Sequence, residues 1–177
     1  MANSGWWTKT RGMAREAYES WSRSAATAQG RSVRILAWAT TADGYVVASP
    51  SALSVGDTDS WTHTGWHEMD RGGWDGATGQ LSWSGYHGDP QVVELTDPGR
   101  LPEVFRERVS ASILLERFVP IVNGRGVTIS GRRDPGSPSG QISWHTELGR
   151  GLTWQTPGVQ TAVDEAVALV RTEYDMG

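Results

Sequence analysis

The stretch Trp66–Trp83, WHEMDRGGWDGATGQLSW, narrows the fold of this chain more than any other. Two half-apolar runs flank the turn-forming residues Asp75-Gly76-Ala77-Thr78-Gly79, which predicts a β-hairpin. Leu81 and Trp83 fall on the inner face of the returning strand, while Trp66, Glu68 and Asp70 alternate with His67 and Met69 on the outgoing one. A buried indole brings a large apolar surface and an N–H that must find an acceptor. Ten tryptophans against two phenylalanines therefore predict a core tethered by hydrogen bonds as well as packed.

Other counts bound the class. The chain has 22 glycines and 8 prolines, as many short strands and tight turns require, and no cysteine. That absence removes disulfides, thiolate zinc sites and cysteine nucleophiles together. No run approaches the roughly 18 apolar residues of a membrane span, and the N-terminus lacks an apolar signal core. A cytoplasmic location is expected. The net charge of −4 is unevenly spread: residues 1–34 carry six basic side chains and two acidic ones, leaving the remainder net negative. A basic arm on an acidic body suits self-docking or an acidic partner, and does not suit nucleic-acid binding by the whole domain.

Taken in order, residues 5–29 read as a helix, with Trp7, Ala14, Tyr18, Trp21, Ala25 and Ala28 on one stripe and Gly30 as its stop. Val33–Thr40 and Tyr45–Ala48 form strands about Asp43-Gly44, and Ala52–Val55 follows the break at Ser49-Pro50-Ser51. Gly56–Gly65 reads as a polar loop. After the Trp66–Trp83 hairpin come a strand at Gln91–Leu95 and a helix at Leu101–Glu116 carrying Leu101, Phe105, Val109 and Ile113 on one side. Phe118–Val122, interrupted by Pro120, suits an edge strand. A hairpin of Gly126–Arg133 and Gln141–Leu148 precedes a closing helix with Val159, Val163, Val167, Val170 and Tyr174 on its apolar face. The expected fold class is α+β in one compact body. Its parts are a basic helix over residues 1–32, a β-rich domain over 33–118, and a hairpin-helix extension over 119–177.

Several features of the middle region, RILAWATTADGYVVASPSALSV, GWHEMDRGGWD, GQLSW and the helix LPEVFRERVSASILL, resemble the bacterial pleckstrin-homology-like and GRAM-like domains. The layout also resembles a family of small proteins of high-GC actinobacteria. The resemblance spans Val33–Glu116, about half the chain. It implies a strongly bent antiparallel sheet, as a barrel or half-barrel capped by a helix, and a role in binding peptides, proteins or lipid head groups. It brings no catalytic residues. ATTADGY stands between the first two strands, where phosphoinositide-binding members carry a Lys/Arg cluster.

The candidate chemistry is sparse. His63 and His67 have the spacing of a helical metal pair, but in a loop and strand their rings diverge and no third ligand is evident. Glu68, Asp70 and Asp75 resemble paired carboxylates, yet Asp75 before Gly76 suits a turn and Asp70 stands by a glycine pair suited to a bulge. No nucleophile–base set, phosphate loop or dinucleotide fingerprint occurs. The expectation is a non-enzymatic protein with no cofactor, no metal and no small-molecule substrate. Arg132 and Arg133, at an exposed hairpin tip with Arg125, present a basic cluster to a phosphate or an acidic surface. Adjacent Trp6 and Trp7 cannot both face one core, so with Lys9, Arg11 and Arg15 they form the strongest candidate contact arm. A protein partner is expected to take that arm, with an open sheet edge as a second mode of contact. A membrane surface, met by the same helix, is the alternative.

Overall fold

The computed structural model describes residues 13–176. Its elements are α1 (Arg15–Gln29), β1 (Ala37–Thr40), β2 (Tyr45–Ala48), β3 (Ala52–Gly56), β4 (Trp61–Gly65), a 3₁₀ turn (Trp66–Glu68), β5 (Met69–Asp75), β6 (Gln80–Gly85) and β7 (Gln91–Glu94). Then follow α2 (Leu101–Ser112), β8 (Ile113–Val122), β9 (Arg125–Arg132), β10 (Ser143–Leu148) and α3 (Val159–Met176). The fold class is α+β, with three open antiparallel sheets among the described residues. The chain divides into two compact units rather than one body: Met1–Ala111 with Asp134–Pro138, and Ser112–Arg133 with Ser139–Gly177. Among the described residues no helix is long and apolar enough to cross a membrane.

In the first unit β1-β2-β3-β4 and β5-β6-β7 are antiparallel meanders. Side chains alternate across β2, so Val46 joins one core and Val47 another. The first core gathers Val46, Leu53, Trp66, Met69 and Trp83 beneath Leu101 and Phe105 of α2. Trp66 and Met69 share that side because they stand three apart across a 3₁₀ turn, not on the strand expected over residues 66–70. Trp66 Nε1 donates to the Ser49 carbonyl at 2.9 Å, the kind of tether that the tryptophan content predicts.

The second core lies between α1 and the first sheet. Trp21 and Ala25 are fully buried against Val47, with Trp38 and Trp61 beside them. Ala17, Trp21 and Ala25 form the buried stripe; Tyr18, expected on it, is displaced to the flank and is 48% exposed. Gly30 closes α1 in the left-handed conformation, φ 66°. The predicted loop at Gly56–Gly65 is largely strand: Trp61–Gly65 pair with β3 throughout. Asp57 builds the real turn, accepting the Ser60 and Asp59 amides, which hold its carboxyl below the usual range.

In the second unit the sheet runs β10-β9-β8. α2 ends at Ser112, four residues before the expected stop, because Ile113 onward pairs with β9. The second unit begins at Ser112. β8 is an edge strand, as Pro120 predicts, and a register shift follows that residue. Val127 and Ile129 of β9 pack on Val159, Val163, Ala166 and Val170 of α3. Trp144 meets Tyr174 edge-on at 6.0 Å, and the Arg171 guanidinium lies 5.8 Å from the Trp144 ring.

Candidate functional site

Among the described residues β5 forms one edge of its sheet and pairs only with β6. Its Gly72 and Gly73 are exposed, so over these two residues the backbone edge carries no side chain. Alongside runs α2. Pro102, Phe105 and Val109 recur at three- and four-residue steps and form an apolar floor, while Glu103, Arg106 and Ser110 repeat the spacing one position on and form a polar rim. Between helix and strand lies a groove of about 500 Å³, its other wall made by Gly72, Gly73 and Trp74.

The two glycines serve this groove differently. A Cβ on Gly72 would stand 2.5 Å from Cζ of Phe105, so only glycine lets that ring lie directly beneath the strand. A Cβ on Gly73 would meet nothing within 4 Å. The glycine pair keeps regular register with Trp83 and Ser82, and the bulge expected there falls between Met69 and Arg71, at Asp70.

A second cavity of the first unit, also about 500 Å³, is lined by Arg31, His63, His67, Glu68 and Asp134. Most of these groups are engaged in holding the fold. His63 Nδ1 lies 2.8 Å from Ser54 Oγ and Nε2 lies 2.8 Å from Ser24 Oγ, and Ser54 also accepts Trp21 Nε1 at 3.0 Å. Glu68 accepts the Gly65 amide at 2.7 Å, Asp134 accepts that of Gly136 at 2.7 Å, and Arg31 donates to the Gly136 carbonyl at 2.6 Å. Asp75 is likewise a turn former: the Ala77 and Thr78 amides hold its carboxyl below the usual range. Among the described residues no group of three or more His, Asp or Glu side chains is placed to hold a metal ion.

Burial pushes the His63 ring below its ordinary value of 6.5. Between that value and the lower folded one, the unfolded chain binds a proton that the folded chain refuses. Stability is therefore constant above the window and falls as the pH drops through it. Urea midpoints taken at about pH 7.5 and about pH 5.5 should show this loss, and His63→Gln should flatten it. An unchanged slope in His63→Gln would assign the effect to other groups.

The sequence-predicted site residues are scattered. Trp6, Trp7, Lys9 and Arg11 lie outside the described residues. Arg15 opens α1, exposed and paired with Glu19 at 2.7 Å. Arg132 corrects the expectation of an exposed tip: it is 3% exposed, and its Nη1 donates to Ser112 Oγ at 3.2 Å. Arg133 is half-buried, and its amide donates to the Ser112 carbonyl at 2.9 Å. Arg125 stands at the other end of β9, roughly 23 Å away along the strand, so the three arginines form no cluster. The groove itself was missed. Its signal was the Gly72-Gly73 pair followed by a helix with two parallel stripes, but only the fold brings them together. Compared with protein-family models, with curated proteins and with solved structures, the chain matches none.

Proposed function

We propose that this is a non-enzymatic binding protein that takes an extended segment of a partner protein along β5. The observation that carries this reading is the conjunction of an exposed, glycine-bearing sheet edge with an apolar groove beside it. Strand addition draws affinity from the main chain and specificity from pockets that receive alternate side chains, and both elements are present in one place. The sequence of seven antiparallel strands in a four-stranded and a three-stranded sheet, then a helix, supports the pleckstrin-homology-like reading of this scaffold. Membrane attachment by α1 is less well supported, because its apolar face already covers Val47. Trp6, Trp7, Lys9 and Arg11 stay in the proposal as a second contact on the partner.

The test is hydrogen exchange of the protein with peptides selected from a random displayed library. Bound peptides should slow exchange of the Gly72, Gly73 and Trp74 amides. Ser110→Trp fills the groove from its exposed rim, so it should fold normally and weaken binding at least about tenfold, the loss of one well-placed anchor. Peptides that bind Ser110→Trp unchanged and leave β5 exchange untouched would overturn the reading.

A further inference from the structure

The second cavity of the first unit holds charges of both signs that do not pair with one another. Arg31, Glu68 and Asp134 all line it, and among the described residues none of the three makes an ion pair. Other contacts hold them in place. Arg31 Nη2 donates to the Gly136 carbonyl at 2.6 Å and to Ser51 Oγ at 3.2 Å. Asp134 Oδ1 accepts the Gly136 amide at 2.7 Å, and Glu68 Oε2 accepts that of Gly65 at 2.7 Å. Each group thus spends one atom on the fold. The second oxygen of each carboxylate and the remaining guanidinium N–H groups have no partner among the described residues.

Glycines let these walls close up. A Cβ on Gly136 would overlap Ser51 Oγ, and one on Gly65 would stand 2.8 Å from Cε1 of His67. His67 Nδ1, on that second wall, is buried and makes no hydrogen bond. Buried polar atoms are nearly always paired, and a bare one at the wall of a polar cavity marks a ligand site. The volume of about 500 Å³ lies in the range of small-molecule sites.

The charges select the ligand. Two carboxylates stand against one guanidinium. The carbonyl end of α1, at Ala28 and Gln29, adds partial negative charge, with no basic residue in its last turn. That combination suits an ammonium group, whereas the open side of Arg31 suits a carboxylate. Apart from two imidazoles the lining carries no ring, so a nucleobase would find no stacking platform. We infer that this cavity binds a free α-amino acid, its ammonium group taken by Glu68 and Asp134 and its carboxylate by Arg31.

The experiment follows the backbone amide resonances of the full chain during titration with each free amino acid, with n-butylamine and with butyrate. Amino acids should shift the Gly65 and Gly136 amides, which the two carboxylates cap. Butylamine and butyrate each lack one charged contact and should bind at least about tenfold more weakly. Glu68→Gln combined with Asp134→Asn leaves an oxygen for each capped amide and removes both charges. Its urea midpoint should hold while affinity for amino acids falls at least about tenfold. Arg31→Gln, at an exposed position, should bring that affinity down to the level of butylamine. It decides alone if the double variant fails to fold. Butylamine or butyrate binding as tightly as the amino acids would overturn the inference, and so would amino acids indifferent to Arg31→Gln or to a folded double variant. Absence of any shift at about 10 mM amino acid, tenfold above a weak Kd of about 1 mM, would overturn it as well.

Discussion

Trp66→Ala should destabilise the first unit by about 3–5 kcal/mol, the usual cost of emptying a buried tryptophan site. Three features place it at the upper end. The side chain is fully buried; it bridges the two meanders from a 3₁₀ turn; and its ring meets Phe105 edge-on at 5.8 Å. The substitution opens a cavity and also strips the Ser49 carbonyl of its donor. Trp66→Phe separates those costs, because it restores much of the volume without the N–H and should lose only about 1–3 kcal/mol. Urea unfolding followed by far-ultraviolet circular dichroism measures both. A loss below about 1 kcal/mol in the alanine variant would mean that the indole is not a keystone of this core. The effect reaches the groove as well: Phe105 forms the groove floor and leans on Trp66, so peptide binding should weaken with stability.

How the sequence misleads is instructive at β4. Trp61–Gly65 looks like loop because threonines and a histidine replace apolar residues, and hydrophobic alternation is the signal by which strands are read. The face of β4 toward α1 is held by polar contacts instead. Trp61 Nε1 donates to Ser20 Oγ at 3.2 Å, and His63 bridges Ser54 and Ser24. Such a seam obeys the requirement that buried polar groups be paired, but leaves no periodic apolar trace. The same serines explain why the α1 stripe was misjudged. Trp21 is positioned by Ser54 as much as by packing, so the stripe centres on Ala17-Trp21-Ala25 and leaves Tyr18 outside.

Where the signal was apolar and alternating, the reading matched the structure. Leu81 and Trp83 point inward, β10 lies within the expected strand though it begins two residues later, at Ser143, and α3 buries Val159, Val163 and Val170. The candidate site was less legible for a definite reason. A groove is a relation between two elements distant in sequence, and neither Gly72-Gly73 nor the α2 stripes announce the other. Arg132 illustrates the converse. Beside Asp134-Pro135 it looks like a turn charge, yet β9 runs to Arg132 itself and draws the guanidinium against Ser112.

A second large effect is expected in the other unit, at Gly126. Asn123 and Gly124, with φ of 49° and 75°, form the two-residue turn between β8 and β9, both in the left-handed region that such hairpin turns require. Two residues on, Gly126 pairs with Pro120 at the register shift of β8. A Cβ there would overlap the Val119 carbonyl oxygen and come within 2.8 Å of Pro120 Cα. Both obstacles are backbone, with no rotamer to give way, and the Gly126 carbonyl is also held by the Gly149 amide at 2.7 Å. Gly126→Ala should therefore cost about 3 kcal/mol, the top of the overpacking range, and speed amide exchange along β8 and β9. Gly124→Ala is the control. Its Cβ would meet nothing within 4 Å, so it bears only the left-handed strain of about 1–2 kcal/mol and should leave exchange at Val119 and Val127 unchanged. Equal losses in the two variants would mean that strain at the turn, and not close approach at the bulge, governs this hairpin. A smaller loss at Gly126 than at Gly124 would show that β8 can shift away from β9 at Pro120, where its register is already broken.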